Sequence, residues 1–292
     1  MIRITADMFS GRPNPVWEVE GAEAESLLQE ISRNQDAVAA MDEGYQGLGY
    51  RGLIVESLAD NMSSKYGLPS SLRLANGANA KGLEIGDRIV SSMLKAKILD
   101  EGSHKSLLEQ LQAFGQGFGA GITESDHVET APAPVEAAAV AAVTCQIESA
   151  AFNPGFWNDP AHIGKNNCYN YASNRRTDTF AQPGLATGHQ ASVMACANVT
   201  AASLSDGLHK RFNCFPASEN PRWLMALVVA PGQDYHWYRK QKEAFWGHKP
   251  GHTAARNVDN NNHVVLNPET AARGPYTNFC GYFYACKSQK IK

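Results

Sequence analysis

The stretch 119–144, most of it GAGITESDHVETAPAPVEAAAVAA, constrains this chain more than any other feature. It is rich in Ala, Pro and Glu, has no aromatic residue and shows little periodicity, so it reads as an interdomain linker. Its apolar run VEAAAVAAV is too short to cross a bilayer, which takes ~20 residues. The division predicts two domains, 1–118 and 145–292, each long enough to bury a core of its own. All six cysteines (Cys145, Cys168, Cys196, Cys214, Cys280 and Cys286) follow the linker. Charge divides the same way. Residues 1–118 hold 11 Lys/Arg and 16 Asp/Glu, the linker holds four acids and no base, and residues 145–292 hold 15 Lys/Arg and 9 Asp/Glu. Net charges of −5 and +6 suggest that the acidic first domain docks on the basic second, or that the basic one meets an anionic substrate.

The first domain reads as a small α/β or α+β unit, with α/β the preferred assignment. IRITADMF and VWEVEG are strands joined by the turn SGRPNP, whose Gly and Pro mark it as structural. AEAESLLQEISRN carries apolar residues at helical spacing, LGYRGLIVESL and SLRLANG supply further strands, and DRIVSSMLKAKI and HKSLLEQLQAF are helices. No cluster of His, Cys or carboxylates there reads as catalytic.

The second domain reads as helices followed by an antiparallel sheet, an α+β order. A helix begins near Cys168, and ASVMACANVTAASLSDG is a second. RWLMALVVAPG is almost wholly apolar and so belongs at the centre of a sheet. DYHWYRKQ and FWGHKPG form a hairpin, and HVVLNP and NFCGYFYACK add two strands.

Thiol catalysis needs a stabilised thiolate, a histidine to exchange its proton and a group to orient that histidine. Cys168 sits in Lys165-Asn166-Asn167-Cys168-Tyr169-Asn170, where asparagines cap the first turn of a helix whose free N–H groups favour a thiolate. His236, in Asp234-Tyr235-His236-Trp237-Tyr238, follows the apolar strand and shares a face with Tyr238, while Tyr235, Trp237 and Arg239 share the other. His248 across the hairpin can accept a hydrogen bond from the His236 ring; Asn257, Asp259 and His252 are rivals for that third role.

This order of Cys at a helix start, His on a strand and a polar residue on the next strand resembles the papain-like superfamily, specifically its NlpC/P60-type branch. The resemblance covers about residues 150–290, with N-N-C-Y-N where that branch often has D-C-S-G. It implies a papain-like domain and a cysteine peptidase or amidase acting through a Cys168 thioester with His236 as base. Cell-wall peptides are one possible class of substrate. An acyl or peptidyl transferase would use the same pair. The alternative is a non-catalytic binding or toxin-like module with structural cysteines.

No cofactor or metal is expected, since no C-x₂-C pair occurs and Pro250-Gly251 breaks the His248–His252 spacing with a turn. Neither nucleic acid nor membrane is an expected partner. MIRITADMFSGRPNP does not read as a secretory signal, so the expectation is a cytoplasmic chain with reduced thiols, or export by a route without a cleaved signal.

Overall fold

Alternating burial builds the first sheet. In β1 (Ile2–Asp7), Ile2, Ile4 and Ala6 are fully buried while Arg3 and Thr5 are half-buried. β2 (Val16–Val19) repeats the pattern with Trp17 and Val19 inside. The computed structural model describes residues 1–41, 44–58, 65–74, 80–95, 104–105, 107–109, 111 and 144–292; the expected linker lies outside these apart from Thr144. With β3 (Val38–Ala39), β4 (Gly52–Ser57) and β5 (Ser71–Leu74), the sheet order is β2-β1-β4-β5-β3. Helix α1 (Gly21–Arg33) buries Ala24, Leu27, Leu28 and Ile31, one stripe at helical spacing. Ile85, Ile89, Val90 and Met93 of α2 (Ala80–Lys95) join the same core. Every strand pair here is antiparallel, which corrects the preferred α/β assignment to its α+β alternative. Parallel strands would have required helical crossovers, and these neighbours need none.

The second sheet runs β6-β10-β7-β8-β9, again antiparallel throughout. Its strands are β6 (His209–Lys210), β7 (Trp223–Ala230), β8 (Asp234–Lys240), β9 (Trp246–His248) and β10 (Asn278–Ala285). Central β7 is almost continuously apolar because both faces are covered. On one side Met225, Leu227 and Val229 meet Cys168, Tyr169, Ala172 and Val199, residues of α3 (Cys168–Ala172) and α4 (Cys196–Ser205). On the other, Ala226, Val228 and Ala230 meet Tyr238, Trp246, Val265 and Tyr276. The expected HVVLNP strand is reduced to a single bridge, Val258 with Val264.

Two disulfides correct the expectation of reduced thiols: Cys145–Cys214 and Cys196–Cys280, each with Cα atoms 5.2 Å apart. Cys168 and Cys286 are free and buried. The bridged cysteines lie 69 and 84 residues apart. Loops of that length restrict the unfolded chain by roughly 4 kcal/mol each on the chain-entropy account.

Candidate functional site

Cys168 is the first residue of α3, and the reason is local. Asn167 caps the helix: its side-chain oxygen accepts from the N–H groups of Tyr169 (3.0 Å) and Asn170 (3.1 Å), while Asn170 Oδ1 accepts from the Asn167 N–H (3.2 Å). The helix is five residues long and drives the thiol inward. Cys168 is fully buried in the apolar cluster with Tyr235 and Trp237, and its Sγ lies 4.0 Å from the Tyr235 carbonyl oxygen. Burial, with Asp234 nearby, pushes the thiol well above its ordinary range, the reverse of an activated nucleophile.

His236 leaves the opposite face of β8. It lies edge-on to Tyr238, His248 and Tyr276, and both ring nitrogens are engaged. Nε2 is 2.8 Å from His248 Nδ1, and Nδ1 is 2.9 Å from Ser10 Oγ. The structure therefore brings His236 and His248 together, and it does not bring Cys168 to either. A single strand separates them, because successive side chains point to opposite faces.

The proton positions follow from the far end of this chain. His248 Nε2 is 2.9 Å from the Val258 carbonyl oxygen, which only accepts, so Nε2 carries the proton. Burial lowers His248 to about 3, hence the ring is neutral and its Nδ1 accepts from His236 Nε2–H. Burial, reinforced by His248 and Arg51, also holds His236 well below its ordinary range. Its Nδ1 is then bare and accepts the Ser10 hydroxyl proton. The order Ser10 to His236 to His248 to Val258 is a one-way run of donations, each tautomer fixed by the next.

Ser10 reaches β8 through the turn SGRPNP. Asn14 Oδ1 accepts from the N–H groups of Met8 (3.0 Å) and Phe9 (2.7 Å), and Asn14 Nδ2 donates to Asp7 Oδ1 (3.0 Å). Arg51 and Arg73 hold the same Asp7 at 2.6 and 3.0 Å. Burial alone would raise Asp7, and the two guanidiniums outweigh it and keep the carboxyl well below its usual range. The turn so shaped wraps the first residues of β8. Asp234 accepts N–H donations from Ser10 (2.6 Å), Gly11 (3.1 Å) and Arg12 (3.0 Å), and the Tyr276 hydroxyl at 2.6 Å. Burial pushes Asp234 up, against the pull of these donors. Gly11 is required by contact: a Cβ there would sit 2.4 Å from the Tyr235 ring. Its carbonyl oxygen accepts from Asn167 Nδ2 (2.8 Å) and Gln182 Nε2 (2.7 Å).

The acidic and basic halves thus meet through a carboxylate of the basic half and backbone N–H groups of the acidic one. Among the described residues the ion pairs stay within halves, as in Arg51–Asp7 and Arg222–Glu148.

The rivals for the third catalytic role stand apart from His236. Asp259 caps its own turn, accepting from the N–H groups of Asn261 and His263 at Oδ1 and of Ala272 at Oδ2. Asn257 offers its backbone carbonyl to Val265. His252 stacks on Phe180 and contacts the Gly164 carbonyl oxygen. Among the described residues no three His, Cys, Asp or Glu side chains are grouped to hold a metal. Sequence reading missed Ser10, Asp234 and Tyr276. The conspicuous turn was the only local signal for Ser10, and nothing local marks Asp234 as the acceptor for residues 222–224 positions away.

No family model matches the chain, and no solved structure matches it. Insoluble matrix shell protein 1 of Ruditapes philippinarum is 43% identical over 134 residues, 46% of this chain and 88% of that protein. The chain belongs to the family of that shell protein.

Proposed function

We propose that this chain is a non-catalytic, disulfide-braced structural module of an extracellular matrix, its two halves latched through the Ser10–His236–His248 chain. The observation that carries the reading is the placement of Cys168 and His236 on opposite faces of β8, with both imidazole nitrogens already committed. A thioester mechanism needs the base within hydrogen-bond reach of the sulfur, allowing for loose resting geometry. The two disulfides support an oxidising, extracellular setting. The name of the shell-protein relative supports a matrix role. Two domains, 1–118 and 145–292, remain the layout we favour, since each half builds its own sheet and, apart from Leu48, which packs into the second half, its own core.

The competing reading, a papain-like cysteine hydrolase or acyl transferase acting on a peptide or amide, draws support from Cys168 standing first in a capped helix against an antiparallel sheet. Iodoacetamide labelling of the native protein with mass mapping separates the two. The module reading expects Cys168 to stay unlabelled from pH 6 to 8 and to react only after unfolding. Rapid labelling of native Cys168, with a pH dependence of a thiolate, would overturn it in favour of the hydrolase.

A further inference from the structure

Helix α4, CANVTAASLS, has no Asp, Glu, Lys, Arg or His in its sequence, yet one side of it faces solvent. Val199, Thr200, Ala202 and Ser203 are buried. Ala197, Asn198, Ala201 and Leu204 form the opposite stripe and are exposed. Leu204 is 37% exposed, and Val193, just before the helix, is 53% exposed. Leu185, 40% exposed, belongs to the same surface, because the Thr187 hydroxyl lies 2.8 Å from Ser205 Oγ at the end of the helix. A surface helix ordinarily turns charged or polar residues outward. Exposed apolar side chains gathered in one place mark a surface that something else covers.

The sequence names the cover. Asn198 is the one amide on this stripe, and it opens Asn198-Val199-Thr200, the N-x-T pattern of an N-glycosylation acceptor. Its neighbours on the stripe, Ala197 and Ala201, are small and leave the amide clear. The Cys196–Cys280 bridge anchors the helix two residues before it. That bridge and Cys145–Cys214 suit the oxidising compartment in which such chains are modified. The pattern occurs once more, at Asn61-Met62-Ser63, which lies outside the described residues.

We infer that Asn198 carries an N-linked oligosaccharide that lies over the uncharged outer face of α4. In the transfer, Asn198 Nδ2 forms a bond to the anomeric carbon of an oligosaccharide carried on a lipid diphosphate. The bond from that carbon to the diphosphate oxygen breaks, the lipid diphosphate leaves with the electron pair, and the amide gives up one proton. The step acts on the chain before it folds, so the burial of Thr200 in the finished helix does not oppose it. The inference rests on the extracellular reading and deepens it by naming a carbohydrate as the cover of one surface. It fails separately, because the sugar is read by mass at one residue and the module reading by the reactivity of Cys168.

The test is peptide mass mapping of the protein from its native source, before and after treatment with a peptide N-glycosidase. A glycan on the peptide bearing Asn198 is expected, with aspartate at that position once the enzyme has removed it. In the full chain secreted by a eukaryotic host, Asn198→Gln and Thr200→Val each lose this glycan and Thr200→Ser keeps it. Enzymatic removal raises the binding of anilinonaphthalene sulfonate, and Leu204→Ser in the stripped protein cancels the rise. Native-source protein unmodified at Asn198 overturns the inference, whether or not Asn61 carries a sugar. So does a glycan whose removal leaves dye binding unchanged, because it would not cover the face.

Discussion

The two faces of β8 invite comparison, because alternate residues of one strand meet opposite kinds of environment. Tyr235 and Trp237 pack with the Cys168 thiol in an apolar cluster, with α3 laid across it. Asp234 and His236 join Ser10, Tyr276 and His248 in a buried polar network that reaches the other half of the chain. The apolar face is indifferent to proton positions and sensitive to volume. The polar face is satisfied only if every proton lies in one place, so removing one member strands its neighbours. A catalytic dyad would need the thiol and the imidazole on the same face. The alternation of the strand keeps them apart.

The largest break in this comparison is expected at Asp234. Asp234→Ala removes the acceptor of three backbone N–H groups and of the Tyr276 hydroxyl, and should destabilise by about 4 kcal/mol in urea unfolding. Acid should act next. Both histidines are held below their unfolded value of 6.5, His248 to about 3, so the unfolded chain binds protons first as the pH falls. Stability is then full above about pH 6.5 and lost between there and about pH 3, by up to ~1.4 kcal/mol per pH unit per histidine. Asp234, raised by burial, opposes this trend at the lower end of the window. Chemical unfolding at pH 7.5, 6 and 5 reads the slope; stability flat across that range would break the assignment of neutral rings.

His248→Phe keeps the volume and strands the His236 Nε2–H and the Val258 carbonyl, a loss of about 2 kcal/mol. Cys168→Ala, on the apolar face, should cost only about 1 kcal/mol, the penalty of a small void. If Cys168→Ala proved the costlier of the two, the contrast between the faces would have been drawn the wrong way.

Much of this was legible in the sequence. The faces of β8 follow from strand periodicity, so His236 with Tyr238 and Tyr235 with Trp237 were separable before any coordinates. The start of α3 at Cys168 follows from Asn167 and Asn170, which act within four residues. The hairpin that sets Tyr238 opposite His248 was readable from the two aromatic strands and the polar turn. Which face of the sheet α3 covers was not readable, because packing side is decided by the whole layer and not by the helix. The pairing of Cys145 with Cys214 and Cys196 with Cys280 depends on strands meeting in space, which spacing along the chain does not encode. The partnership of SGRPNP with Asp234 was hidden for the same reason. The turn announced its own shape, but its acceptor lay more than two hundred residues away.

The tautomers of His236 and His248, read by ¹⁵N NMR of the imidazoles, test the central claim most directly. Both rings should be neutral from pH 5 to 8, each with a protonated Nε2 and a bare Nδ1, and His236 Nε2–H should couple through its hydrogen bond to His248 Nδ1. An imidazolium at His236 in that range, or a proton on its Nδ1 that exchanges with Cys168, would contradict the account and restore the thiol–imidazole pair.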